Sequence, residues 1–187
     1  MLLELVWRAM LFEVLRTGVR RNPVPIVAAA FASLAVSRAD HVDAVAVDLP
    51  TGTTAVEFTR VAVVSRPDWI DRLLGLRDAI VGPLGLRTQV RVAPEQIEII
   101  AGRRFGPFKV LSVADDEVLV GDDDKHLRFR TSFAVRGGDG ETEGIFTTIV
   151  VHENFAGRVY FALIKPFHNI VVASVLRCAA LALAVHR

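Results

Sequence analysis

His168, Tyr160, Arg77 and His152 are the side chains of this sequence best suited to moving a proton or holding a polar ligand group. A histidine titrates near neutrality, so His168 is expected to act as general acid or base, or to hold a ligand carbonyl. On the wheel of a helix drawn from Phe155 to Ala184 it lies at the edge of an apolar face, beside Phe161. The plainer alternative is an imidazole that packs on Phe161 and bonds a loop carbonyl. Tyr160, the single tyrosine, can donate its phenolic proton into a cavity or sit in the core with a satisfied hydroxyl. Arg77 falls on a helix flank with Ile70, Leu74 and Val81, where an apolar residue is expected. A buried guanidinium there needs a carboxylate, with Asp43 and Asp48 the candidates, or a ligand oxygen. Trp69, at the start of the same helix, offers a flat wall for core packing or for stacking.

These groups must be positioned by the elements around them. In the strand His126–Val135, alternation puts Leu127, Phe129, Phe133 and Val135 on the core face, with Thr131 among them. Arg128 and Arg130 fall on the other face, where they are expected to be solvated or to form a small anion-binding patch. The strand Ile145–His152 is apolar on both faces and therefore central. Its Thr148 and His152 share a face and are candidates to line a cavity. On the terminal helix Tyr160, Ile164, Phe167, Val171, Val175 and Cys178 form one face, opposite a stripe of Arg158, Lys165 and Asn169. Pro166 removes the hydrogen bond to the Ala162 carbonyl and should bend that helix.

Punctuation divides the chain at about residue 39. Residues 1–38 read as a helical extension: Leu2–Arg16 is a good helix former, and Asn22-Pro23-Val24-Pro25 stops it before a second apolar stretch, Pro25–Val36. Residues 39–187 read as one domain. A strand over His41–Asp48 comes first, then a helix from Ala55 and another over Asp68–Val81. Strands follow at Gln89–Val92, Glu95–Ile100, Lys109–Val113, Glu117–Gly121, His126–Val135 and Ile145–His152, and the long helix ends the chain. Strands segregated from helices argue for the α+β class. A curved antiparallel sheet wrapped around one long C-terminal helix is the helix-grip arrangement, with a ligand cavity between sheet and helix.

Composition sets the outer limits. Of 187 residues, 52% are hydrophobic and 23% charged, which excludes a disordered chain. One cysteine, Cys178, allows neither an internal disulfide nor a Cys-based zinc site, and it fits a cytoplasmic protein. A net charge of +1 is too balanced for a chain that binds nucleic acid through phosphates. A membrane-spanning helix needs about 20 uninterrupted apolar residues. The longest apolar segment, near Phe155–Val185, is broken by Arg158, Lys165, His168 and Arg177, so no span is expected. The first helix, flanked by Arg16, Arg20 and Arg21, is the candidate for a peripheral membrane contact or for dimerisation. There is no GxGxxG, P-loop, GxSxG or HExxH motif. His126, His152 and His168 stand on separate elements, so neither a metal site nor a cofactor is expected.

Several stretches resemble one family. They are Ala39-Asp40-His41-Val42-Asp43-Ala44, Pro67-Asp68-Trp69 with Leu73-Leu74-Gly75-Leu76-Arg77-Asp78, Gly85-Leu86-Arg87, Asp123-Asp124-Lys125-His126-Leu127 with Phe129-Arg130, and Gly157-Arg158-Val159-Tyr160 leading to Pro166-Phe167-His168. Together they resemble the DUF2867 family, which is similar to the START-like (SRPBCC, Bet v 1-like) superfamily. Arg128 departs from the pattern, where an acidic residue is expected. The resemblance implies an apolar small-molecule ligand, polyketide- or lipid-like, in the cavity between sheet and helix. It is compatible with a cofactor-independent cyclase of secondary metabolism or with a non-catalytic carrier or sensor. Fold-level analogy does not choose between them. The expected site comprises His168 and Tyr160 as catalytic groups, with Trp69, Arg77, Phe129, Thr148, His152, Ile164, Phe167 and Val171 around the ligand.

Overall fold

A computed structural model describes residues 39–81, 97–105, 108–138 and 140–185. The N-terminal extension, the Gly85-Leu86-Arg87 motif and the strand expected at Gln89–Val92 lie outside the described residues. Strand β1 spans His41–Leu49 and places His41, Asp43, Val45, Val47 and Leu49 on one face. The turn Pro50–Thr53 follows, closed where the Thr53 hydroxyl donates to the Pro50 carbonyl at 2.7 Å. Thr54 then caps helix α1, Ala55–Val64, by accepting the Glu57 N–H. Pro67 ends that segment, and helix α2 runs over Asp68–Val81.

From residue 104 to residue 152 the chain is mostly strand. β2 is Arg104–Phe105, β3 Phe108–Val113, β4 Glu117–Asp123, β5 Leu127–Gly138 and β6 Glu141–His152. They form one antiparallel sheet in the order β1-β6-β5-β4-β3-β2, so the first strand closes against the last. Residues 97–100, expected to belong to a strand, are irregular. Their alternation has another cause: Ile97 and Ile99 are buried as anchors in the core, while Glu98 and Ile100 face out.

Helix α3, Phe155–Val185, lies against the sheet and against α1, passing through Pro166 as one continuous helix. Val45, Val47 and Leu49 of β1, Phe58 of α1, Val118 and Val120 of β4, Phe133 of β5 and Val172, Leu176, Ala179 and Leu183 of α3 make one core cluster. The fold is therefore α+β, a curved antiparallel sheet, six-stranded among the described residues, gripping a long C-terminal helix. By length and composition alone α3 could cross a membrane, with a mean hydropathy of 1.8 over its most apolar stretch. The interruptions expected to forbid this fall too far apart. In the structure its stripe from Phe161 to Leu183 is buried within the molecule.

Candidate functional site

One end of the layer between sheet and α3 is polar. His41 and Asp43 stand two residues apart on β1, so their side chains share the face that carries Val45 and Val47 into the core. His168 comes from the middle of α3 to meet them. Its Nε2 is 3.6 Å from Asp43 Oδ1, and His41 Nε2 is 3.5 Å from the same oxygen. The two imidazoles approach edge to face, with centroids 6.3 Å apart. Both Nε2 atoms are buried and make no hydrogen bond among the described residues. Burial pushes the His41 pKa below its ordinary value; Asp43 pulls the other way, while Lys165 and His168 add to the fall. The His41 imidazole is thereby favoured in its neutral form.

His152 and the threonines extend this cluster along the sheet. Phe161 of α3 lies beside both the His41 ring, at 4.9 Å, and the His152 ring, at 5.3 Å. The His152 N–H donates to Asp40 at 2.7 Å, which pins the end of β6 to the start of β1. Antiparallel register puts Thr148 opposite Asp43 and Thr131 opposite Thr148. Both threonines are buried, and the Thr148 hydroxyl has no hydrogen-bond partner among the described residues. Such a group costs about 1–3 kcal/mol unless something else bonds it.

The remaining expected site residues are more scattered. Phe129 is half-buried and edge to face with Phe108, centroids 6.0 Å apart. Ile164 and Val171 are half-buried on α3, but Phe167 is 43% exposed. The buried stripe of α3 runs through Phe161, Val172, Leu176 and Ala179, to one side of the face expected from the wheel. Trp69 is half-buried in the first turn of α2. Arg77 does not bond Asp43 or Asp48 as the sequence suggested. Its Nη1 donates to the adjacent Asp78 at 2.6 Å, and its Nε donates to the Tyr160 hydroxyl at 2.8 Å. The guanidinium carbon also lies 5.3 Å from the Tyr160 ring centroid. Burial works against the charge of Arg77, yet Tyr160 and Asp78 outweigh it and hold the pKa above its ordinary value. Tyr160 is thus committed to joining α2 to α3.

Arg130 also departs from expectation. It is 5% exposed rather than solvated, because β5 is a central strand covered on both faces. Its Nη1 donates to Asp123 at 2.7 Å and to the Phe129 carbonyl at 2.9 Å. Arg128, half-buried, pairs with Glu153 at 2.5 Å.

His41 and Asp43 were not among the expected site residues. Their signal was a His-x-Asp spacing in a strand, which puts both on one face, but nothing local shows that His168 completes the set. Chemically the trio offers a carboxylate able to orient an imidazole and stabilise its protonated form, as acid–base catalysis requires. It also offers two imidazole nitrogens and one carboxylate oxygen, a donor set that divalent transition metals accept.

Comparison with known proteins adds a family and little beyond it. No curated protein and no solved structure matches the chain. A family model described as a protein of unknown function, DUF2867, matches residues 35–175. That span carries β1, the whole sheet and α3 as far as Val175, so the chain belongs to the DUF2867 family.

Proposed function

We propose that the domain binds an apolar small molecule, polyketide- or lipid-like, between the sheet and α3, with a polar group of that molecule directed at His168. The observation that carries this reading is a row of polar side chains, two buried and one half-buried, in an otherwise apolar layer. Asp43, Thr148 and Thr131 lie side by side across three strands, and the Thr148 hydroxyl and His168 Nε2 have no hydrogen-bond partner among the described residues. A ligand oxygen would satisfy them while the rest of the molecule met Phe129, Phe161 and Ile164. The resemblance to the START-like superfamily, whose members hold ligands in this layer, supports the same reading.

Turnover would rest on His168, positioned by Asp43, because the Tyr160 phenol is already engaged by Arg77. Such an enzyme would act without a redox cofactor, folding a flexible substrate and polarising one carbonyl. The carrier reading uses the same space with no proton transfer. Residues 1–38 would then matter more, as a contact for a membrane or a partner.

Native mass spectrometry of the purified protein, followed by denaturation and extraction, tests the binding. A retained apolar molecule of a few hundred daltons is expected. A protein that carries nothing and also fails to take up a fluorescent fatty acid would sink the proposal. Given the ligand, His168→Ala separates the two readings. Loss of product with affinity held within a few-fold means catalysis, and a change in affinity alone means a carrier.

A further inference from the structure

His41, Asp43 and His168 form a compact cluster of ligand atoms set wider apart than ordinary hydrogen-bond partners. Their distances of 3.5 and 3.6 Å exceed those of N–H···O hydrogen bonds. One ligand atom from each of the three residues nevertheless lies within 4.8 Å of the other two. Two buried nitrogens and a carboxylate oxygen that converge without touching have room for a shared partner at their centre.

The geometry points to a divalent first-row transition ion of the zinc class, held by His41 Nε2, Asp43 Oδ1 and His168 Nε2. The circle through three atoms so spaced has a radius of at most about 2.4 Å, against bonds of about 2.0–2.2 Å for zinc with imidazole or carboxylate. Side-chain movements of a few tenths of an ångström close that difference. The donor types agree with the ion: two imidazoles and one carboxylate suit zinc or iron(II), whereas magnesium and calcium prefer oxygen donors throughout. Rigid elements present the ligands. Two sit at alternate positions of a strand paired along its whole length, and the third sits on a helix packed on that strand. Three protein ligands leave coordination positions free for water or a substrate oxygen. The rings keep partial access to solvent, which lets an ion enter. With the ion bound, His168 Nε2 is a ligand and the polar group of an apolar molecule meets the ion's free position instead of the imidazole; uptake of the ion itself does not depend on that molecule.

Untagged full-length protein, stripped with a chelator and shown by circular dichroism to be folded, is dialysed against zinc or cobalt(II). One equivalent per chain is expected, with a rise in melting temperature and, for cobalt, the visible absorption of a site of low coordination number. Asp43→Asn and His41→Gln should each weaken binding by more than about 100-fold, since removing a ligand exceeds the 10–100-fold cost of removing a supporting group. His126→Gln, which alters a histidine beside Asn154 and outside the cluster, should keep it. The inference is overturned if folded, stripped wild type takes up no zinc or cobalt at micromolar concentrations, in which case water fills the space. It is overturned equally if the two ligand variants bind as the wild type does. Should either variant fail to fold, the stoichiometry and cobalt spectrum of the wild type decide alone.

Discussion

Arg130 carries its charge into a covered strand, and the cost is met unevenly by its partners. Asp123 keeps a 58% exposed side chain while Arg130 is nearly closed off, so the pair is half in water. Gly121 stands opposite Arg130 in the register, and a Cβ there would lie 2.8 Å from the arginine's Cδ and collide with the Phe129 carbonyl. The stem of Arg130 therefore lies where a side chain of β4 would otherwise be. Removing the carboxylate takes away the Asp123 charge that faces the guanidinium, and Asp123→Asn is expected to cost about 1–2 kcal/mol in urea unfolding, given the solvent screening. Arg130→Met, which keeps the stem and drops the charge, should stay within about 1 kcal/mol of wild type. The hydrogen bond from Arg130 holds the Asp123 carboxyl below its ordinary range. Its contribution is therefore complete above the unfolded carboxylate pKa of about 3.9 and disappears as the pH falls through the lower folded value. An Asp123→Asn gap that persisted in strong acid, or was absent at neutrality, would refute this account.

Two glycines in helices make opposite demands on their elements. Gly157 is in the first turn of α3, where its N–H donates to the Asn154 side chain at 3.0 Å. Asn154 also donates to the Lys125 carbonyl, which brings the turn between β4 and β5 against the helix start. A Cβ at 157 would be 2.8 Å from the His126 carbonyl carbon and closer still to its oxygen, a backbone group that cannot swing away. Gly75 in α2 has open space around its Cβ position. Alanine favours a helix over glycine by about 1 kcal/mol, so Gly75→Ala should stabilise by up to that amount. Gly157→Ala should instead destabilise by about 1–3 kcal/mol, because overpacking outweighs propensity. Thermal denaturation reads both, and shifts of the same sign would contradict the contact at His126.

The same scale explains what could be read in advance. The strand over His41–Asp48, the two short helices and the terminal helix were legible because Pro50, Pro67 and the periodicity of each segment mark them locally. The face of α3 was not. Phe167, Val171 and Val175 compete on the wheel with Phe161, Val172 and Leu176, and a helix apolar on most sides does not reveal which stripe meets the sheet. The partner of Arg77 was hidden for a related reason. Tyr160 lies 83 residues away, whereas Asp43 and Asp48 were nearer in sequence. Arg130 looked solvated because alternation tells which residues share a face and not whether that face is covered.

At the scale of the molecule, the sheet and two helices share a single main core. Leu176 is fully buried in it, whereas Leu163, on the same helix, is 63% exposed. Leu176→Ala should cost about 2–5 kcal/mol by opening a cavity where α3 meets the sheet. Leu163→Ala should stay within about 0.5 kcal/mol, as surface changes do. Equal effects in chemical denaturation would mean that α3 is held by something other than the stripe described. The polar end of the layer draws on the same arrangement, since only α3 seated on β1 brings His168 to Asp43.

Pairing β1 with β6 also fixes an order of assembly. His41 opposes Val150, so the first strand leaves the ribosome about 100 residues before the strand that completes it. At about 5–20 residues per second β1 waits some 5–20 s with its hydrogen-bonding edge unmet, and α3 comes later still. Until then β1 is an unpaired, apolar strand, the kind of segment that chaperones shield and that other nascent chains can capture. His168 lies beyond β6 in the chain, so translation completes the histidine–carboxylate cluster only after every strand of the sheet described has been made.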